Sequence, residues 1–240
     1  MNDARDVGAV LVAAGRSSRF GRPGGQPKQY QSVAGVPLLL RALRPFASHP
    51  AVAHVVVVLA AEDVAAPPPF LAGLVGGALT LVAGGAERSD SCMAGVAALP
   101  AACAVVLVHD AARPFVSRGT IDAVIAEARA GRGALAAVPV ADTLKQAAAE
   151  AAEATLVGRT VPRDGLWRAQ TPQGFPRTLL ERAYAEARAA GLAATDDAAL
   201  VERLGHPVVL VPDSPRNFKV TTPDDLAIAE ALAALEGRGA

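Results

Sequence analysis

The sequence predicts an α/β fold in which a mainly parallel sheet is covered by helices on both faces. Short runs rich in Val, Leu and Ala alternate with segments of helical periodicity, and this alternation is typical of parallel sheets with crossover helices. The first run is apolar without interruption until Gly15, as expected for a strand buried on both faces. The predicted strands span 7–14, 54–59, 79–83, 104–109, 135–140 and 208–211, and the predicted helices span 37–46, 89–98, 120–130, 177–190 and 196–204.

Length, charge and cysteine content limit the class of protein. The 240 residues suit a single domain, spanning 1–240, with a substantial core. Because 23 basic residues balance 23 acidic ones, the overall charge favours neither a nucleic-acid nor a membrane partner. Cys92 and Cys103 lie in apolar surroundings without metal-ligand spacing, which favours buried free thiols. No signal peptide and no apolar run long enough to span a membrane is present, so we expect a cytoplasmic protein.

The loop after the first predicted strand is the first candidate binding site. Between Gly15 and Lys28 the chain has four basic residues, four glycines and no acidic residue. Glycines let backbone N–H groups face an anion and the basic groups add charge, so a phosphate-rich ligand is expected. The loop matches neither the P-loop nor the Gly-x-Gly-x-x-Gly pattern, and a basic surface loop without a ligand is the alternative.

The order AAG, Arg19 and PKQY resembles the signature of the cytidylyltransferases that make CDP-methylerythritol. The resemblance implies a Rossmann-like fold of the nucleotide-diphospho-sugar transferase type, with CTP at the carboxyl ends of the strands. It implies that Arg19 and Lys28 are the catalytic cations. The nucleotide-binding residues of this loop would be Ala13, Ala14 and Gly15.

The turn after the strand at 79–83 reads GGAERSDS. Taken alone, it predicts a strand-to-helix turn with Ser89 or Asp90 as the N-cap. The resemblance implies that the cytosine and ribose lie here, near Gly85 and Ser91. An acidic residue is usual in the family where this chain has Ala86.

The segment VHDAARPFVS follows the strand predicted at 104–109. An ion pair between Asp110 and Arg113 that only stabilises the turn is one interpretation. In the other, Asp110 holds a divalent cation, Mg²⁺ or a similar ion, on the nucleotide phosphates, and Arg113 orders the loop or contacts a phosphate. HDAARP matches the family's second signature residue for residue, which implies that Asp110 and Ala111 bind the nucleotide and Asp110 the metal.

Residues 141–171 interrupt the alternation and predict a projecting arm inserted in the domain. Strand-like pieces at 155–161 and 166–171 flank the turn PRDG, which favours a hairpin. Because a lone hairpin is marginally stable, we expect two copies of the chain to form a homodimer through their arms. The resemblance implies the same assembly. Trp167 is expected to belong to the core and not to stack on a ligand.

Four further residues are candidates for binding the second substrate. The pattern RDGLW resembles the family's RNGLW and implies that Arg163 binds an acceptor phosphate, with Thr143 nearby; a solvated turn arginine paired with Asp164 is the alternative. Thr195 begins TDDAAL, which predicts an N-cap and, by resemblance, a contact to the polyol hydroxyls. Lys219 in RNFKVT resembles NIKVT, which implies a phosphate ligand, whereas the exposed side of an edge strand is the alternative.

The resemblance implies an enzyme that transfers CMP from CTP to 2-C-methyl-D-erythritol 4-phosphate in the non-mevalonate isoprenoid pathway. Joining two heavily charged phosphates requires cations and positioning but no covalent nucleophile. A ribitol 5-phosphate cytidylyltransferase has overlapping signatures and is the nearest alternative. A nucleotide-binding protein without turnover is the other, although it would not need the acceptor-side cations Arg163 and Lys219.

Overall fold

A seven-stranded sheet forms the centre of the protein in the computed structural model, which describes residues 5–15, 27–148, 155–192 and 195–236. In chain order the strands are β1 (Val7–Val12), β2 (Ser32–Val33), β3 (Val36–Pro37), β4 (Val52–Leu59), β5 (Leu79–Ala83), β6 (Val105–Asp110), β7 (Gly133–Pro139), β8 (Leu144–Ala147), β9 (Val157–Val161), β10 (Trp167–Pro176) and β11 (Val208–Pro212). The helices are α1 (Leu38–Ala47), α2 (Ala61–Ala65), α3 (Pro69–Ala72), α4 (Arg88–Ala97), α5 (Arg118–Arg129), α6 (Arg177–Ala189), α7 (Asp197–Arg203) and α8 (Pro223–Glu236).

The sheet order is β11-β7-β10-β6-β1-β4-β5, and only β10 runs antiparallel to its neighbours. The chain passes from β1 to β4 on one side, while β6 pairs with β1 on the other. Loops that leave the carboxyl ends of β1 and β6 therefore separate at this point and leave a crevice, where ligands bind in sheets of this kind. Val12 is the partner of Asp110 in the register, so the first loop and the HDAARP segment are side by side.

Both faces of the sheet are covered, as the apolar first run predicted. Side chains of β1 alternate between two cores, with Leu11 in one and Val10 in the other. The first core is completed by α1 and α5, and the second by α4, α6 and α7. The predicted α/β fold class is confirmed, and each predicted strand has an observed counterpart whose ends differ by at most two residues. Cys92 and Cys103 are both buried and free, as expected.

The predicted pairing within the arm is wrong. The strand β9 pairs antiparallel with β8 in a separate two-stranded sheet, and the piece predicted at 166–171 instead begins β10 of the main sheet. PRDG does form a turn, with Gly165 at φ +76°, but it leads from the arm into the core. Pro172 and Gly174 weaken the strand signal of β10 in the sequence. Gly174 is required there because an added Cβ would lie 2.4 Å from Val124 Cγ1.

Two predicted N-caps are also wrong by one or more residues. Glu87, not Ser89 or Asp90, caps α4 in a capping box with Asp90. Asp196, not Thr195, caps α7, and its carboxylate accepts a hydrogen bond from Ala199 N. In both cases an acidic side chain takes the position because it satisfies an N–H group at the positive end of the helix. Within the described part of the chain, no helix is both long and apolar enough to cross a membrane.

Candidate functional site

A cavity of about 970 Å³ opens at the carboxyl ends of β1, β5 and β6. This volume is within the range of small-molecule sites, about 300–1,000 Å³. Nine of the residues predicted to bind substrates or act in catalysis line it together, although their binding roles stay predictions. They are Ala13, Ala14, Gly15, Lys28, Gly85, Ser91, Asp110, Ala111 and Lys219.

Lys28 enters the cavity from a short 3₁₀ turn, Lys28–Tyr30, that is anchored in the core. Tyr30 is 6% exposed, and its hydroxyl donates a 2.7 Å hydrogen bond to Asp63 Oδ2 on α2. Burial and the Asp63 carboxylate raise the pKa of Tyr30, so the hydroxyl stays a donor. The backbone of Lys28 is therefore held independently of its own side chain. Arg19, the other predicted catalytic cation, lies outside the described residues.

The turn after β5 packs against the first loop through its glycines. A Cβ added at Gly84 would lie 2.5 Å from Ala14 Cβ and 2.6 Å from Ser91 Oγ, so only glycine permits this approach. The Ser91 hydroxyl accepts a hydrogen bond from Gly85 N and donates one to the carbonyl of Glu87, each at 3.2 Å. Ser91 thus shapes the turn that forms the cavity wall.

Asp110 lies among three basic side chains at the end of β6. Its Oδ2 is 2.8 Å from Lys219 Nζ and 3.8 Å from Arg113 Nε, and its Oδ1 is 3.8 Å from Arg88 Nε. Burial by itself would raise the pKa of Asp110, but Lys219 and Arg88 outweigh it and lower the pKa to about 2. The carboxylate is therefore ionised at neutral pH. Asp110 is thus a buried negative charge with basic side chains around it.

Arg88 is a site residue that the sequence reasoning missed. It lines the cavity, and its Nη2 forms a 2.8 Å ion pair with Asp197 Oδ2, while Tyr184 donates a 2.7 Å hydrogen bond to the other oxygen. Although burial alone would lower it, the Asp197 carboxylate raises the pKa of Arg88 above its usual value. A basic residue in the glycine turn GGAERSDS was the available signal. The partner Asp197 gave none, because it is 109 positions away.

The residues predicted for the acceptor substrate divide into two groups. Lys219 lines the cavity, although it lies on an irregular segment and not on the edge strand that was the alternative. Arg113 lies behind Asp110, which lines the cavity, and it donates a 2.8 Å hydrogen bond from Nη1 to the carbonyl of Asn217. The other three are exposed and do not line the cavity of their own chain: Thr143 and Arg163 at the arm, and Thr195 before α7. The Arg163 guanidinium donates to the carbonyl of Ala141.

The Asp110 carboxylate is a candidate ligand for a divalent cation. Among the described residues, no group of three or more His, Cys, Asp or Glu side chains could enclose a metal ion. Mg²⁺ does not require such an enclosure, because it commonly binds one or two carboxylates together with substrate phosphates and water. The ionised Asp110 in a cavity large enough for a triphosphate fits that mode of binding.

Comparison with known proteins identifies one family that matches most of the chain. The family model IspD, described as 2-C-methyl-D-erythritol 4-phosphate cytidylyltransferase, matches residues 7–234. The cytidylyltransferase of that name from Salinibacter ruber is 47% identical over 225 residues, covering 93% of this chain and 92% of the relative. The bifunctional enzyme IspD/IspF of Solidesulfovibrio magneticus is 49% identical, and the match covers 93% of this chain but 56% of that protein.

Solved structures agree with these sequence matches. The crystal structure of 2-C-methyl-D-erythritol 4-phosphate cytidylyltransferase from Thermus thermophilus superposes with a TM-score of 0.77 at 40% identity. The match covers 94% of this chain and 98% of that one. The Rossmann-like nucleotidyltransferase fold implied by the sequence motifs is therefore confirmed.

Proposed function

Because the chain belongs to the IspD family of 2-C-methyl-D-erythritol 4-phosphate cytidylyltransferases, we propose that the cavity between β1, β5 and β6 is its catalytic site. The enzyme is a nucleotidyltransferase that transfers CMP from CTP to 2-C-methyl-D-erythritol 4-phosphate, giving CDP-methylerythritol and pyrophosphate in the non-mevalonate isoprenoid pathway. The site assignment rests on one observation. Lys28, the glycine turn and the Asp110–Lys219 pair all line the same cavity.

The reaction must overcome repulsion between two phosphate groups. A phosphate oxygen of the acceptor attacks the α-phosphorus of CTP, the bond from that phosphorus to the β-phosphate bridge breaks, and pyrophosphate leaves. The attacking phosphate is already ionised near neutral pH, so no general base is needed. Lys28 would bind the CTP phosphates and stabilise the charge that develops on them, and Arg19 is proposed for the same task.

On the other side of the cavity, Lys219 and Arg113 are proposed to bind the acceptor phosphate. The side chain of Lys219 is 42% exposed, so its ammonium group remains accessible to an anion although it contacts Asp110. The Asp110 carboxylate and phosphate oxygens of CTP would hold Mg²⁺. When bound, the ion would shield the triphosphate charge and polarise the reacting phosphate.

We also propose that the enzyme is a homodimer joined through its arms. The two-stranded sheet of β8 and β9 is marginally stable by itself, and two neighbouring apolar side chains at the start of β9, Leu156 and Val157, are 59% and 64% exposed. Burial of these side chains against a second arm would remove apolar surface from water. Because Thr143 and Arg163 do not line the cavity of their own chain, we propose that they complete the site of the partner.

Val157→Glu tests this assembly. We expect the parent enzyme to sediment with twice the mass of one chain, and Val157→Glu to shift it toward the monomer because the dimer would bury the new carboxylate. Activity should fall with the dimer fraction if Arg163 acts across the interface. Leu235→Glu, at a comparably exposed position on α8 (62%), is the matched control and should stay dimeric. Monomeric parent enzyme at assay concentration, with full activity, would reject the proposal.

We propose a cytoplasmic location. One property of the chain supports it: both cysteines are buried and unpaired, which suits a reducing compartment.

The experiment that tests the proposed function is pyrophosphate release from CTP and Mg²⁺, with 2-C-methyl-D-erythritol 4-phosphate and ribitol 5-phosphate as parallel acceptors. We expect release with the methylerythritol phosphate only, and with EDTA we expect it to stop. Release with ribitol 5-phosphate alone would replace the acceptor and keep the mechanism. A folded dimer that binds CTP but is silent with both acceptors would reject the assignment.

A further inference from the structure

The segment that carries Lys219 has little regular structure, so side-chain hydrogen bonds determine its path. It leaves β11 at Asp213, whose Oδ1 accepts hydrogen bonds of 2.7 Å from Ser214 N and from Thr120 Oγ1 on α5. It is anchored again where Val220 N donates a 2.8 Å bond to the carbonyl of Ala112, in the HDAARP segment. Between these two anchors the chain is held by the stacking of Phe218 on Phe115, by the Lys219–Asp110 ion pair and by the hydrogen bonds of one buried polar residue.

That residue is Asn217, which is 0% exposed. Its Nδ2 donates to the carbonyl of Thr171 at 2.8 Å and to Asp213 Oδ2 at 2.7 Å. Both partners can only accept, so the amide must present its two N–H bonds to them. Its main-chain carbonyl accepts from Arg113 Nη1 at 2.8 Å and from Gln170 Nε2 at 3.0 Å. Asn217 thereby joins β10, the HDAARP segment and the end of β11.

We infer that Asn217 is a positioning residue for the acceptor phosphate: by tying these segments together, it sets the places of both Lys219 and Arg113 beside Asp110. Lys219 is two residues further along the same segment, and its ammonium group is 2.8 Å from Asp110 Oδ2. Arg113 is held directly, since one of its nitrogens bonds Asn217 while its Nε faces the same carboxylate oxygen. The inference rests on the proposed function of these two cations.

Asn217→Asp is the variant that tests this role, because it keeps the shape of the side chain and removes both donors. A carboxylate would then face the carbonyl of Thr171 and the carboxylate of Asp213, which are all acceptors. We expect the KM for 2-C-methyl-D-erythritol 4-phosphate to rise at least about tenfold, the usual scale for leaving a buried polar group unpaired. The KM for CTP should change less than about threefold, because the hydrogen bonds of Asn217 involve neither Lys28 nor the glycine turn.

The double variant Asp213→Asn with Asn217→Asp exchanges donor and acceptor across the same bond. We expect it to lower the acceptor KM at least about threefold from the single-variant value, as a restored hydrogen bond would. A residue that serves stability alone would lower the unfolding temperature without moving this constant. The control for that case is Ile125→Val, a buried core variant on α5, which should leave both KM values unchanged.

Two further variants distinguish an error in the proposed acceptor site from an error in the positioning role of Asn217. If Lys219→Ala leaves the acceptor KM unchanged, the proposed acceptor site is wrong. If Lys219→Ala raises it but Asn217→Asp does not, only the positioning role of Asn217 is rejected. Should Asn217→Asp fail to fold, Gln170→Met removes one donor to the Asn217 carbonyl, and we expect it to raise the acceptor KM about threefold. An unchanged value for that variant would overturn the inference.

Discussion

Replacement of Lys28 by methionine is expected to lower kcat about 100-fold to 1,000-fold, the range found when one preorganised donor to a developing charge is removed. Lys28 is the described cation of the first loop that lines the cavity, on the side where the CTP phosphates are proposed to bind. Methionine keeps most of the side-chain volume and removes the charge together with the N–H donors. The loss should fall mainly on kcat, because the charge on the phosphates develops most strongly in the transition state.

The fold should survive this change. The 3₁₀ turn is held by buried Tyr30 and its bond to Asp63, and neither uses the Lys28 side chain, so we expect the unfolding temperature to stay within about 2 °C of the parent value. Arg182→Met removes a charge from an exposed 3.6 Å ion pair on α6 and serves as the control, with full activity. Steady-state assays of pyrophosphate release measure both variants. A Lys28→Met enzyme with parental kcat would rule out the proposed mechanism.

The second large effect is expected for Asp110→Asn. The amide can no longer hold a divalent cation as a carboxylate does, and it leaves Lys219, Arg113 and Arg88 without their shared counter-charge. We therefore expect kcat/KM to fall at least about 100-fold and the Mg²⁺ concentration for half-maximal activity to rise. Asp224→Asn, an exposed carboxylate in the first turn of α8, is the matched control and should leave both quantities unchanged.

The same variant should change how stability depends on pH. Because the pKa of Asp110 is depressed to about 2 in the folded protein, its stabilising contribution is present above its unfolded pKa, about 3.8, and is lost as pH falls toward 2. At pH 7 the shift corresponds to about 2 kcal/mol of unfolding free energy. Urea unfolding should show this difference between parent and Asp110→Asn at pH 7 and a smaller one near pH 3. A difference in unfolding free energy between the two proteins that is independent of pH would contradict the proposed charge cluster.

The nucleotide half of the protein could be predicted well from the sequence. Apolar runs of strand length are a local signal, and the topology of a parallel sheet brings the loops after β1, β5 and β6 to one edge. The sequence therefore predicts that residues as far apart as Lys28, Gly85 and Asp110 lie together, and they do line one cavity. The resemblance of the motifs then predicted the reaction, and the family match over residues 7–234 agrees with it.

Tertiary structure decided the remainder, because it depends on partners that are distant in the chain. The hairpin partner of β9 is β8 and not the segment after PRDG, since the buried run through Phe175 pairs with β6 and β7 and takes β10 into the main sheet. The Arg88–Asp197 pair crosses 109 positions and the Asn217–Thr171 bond crosses 46. Periodicity and composition report which residues are buried. Hydrogen-bond partners are chosen only when packed segments bring a donor within reach of an acceptor.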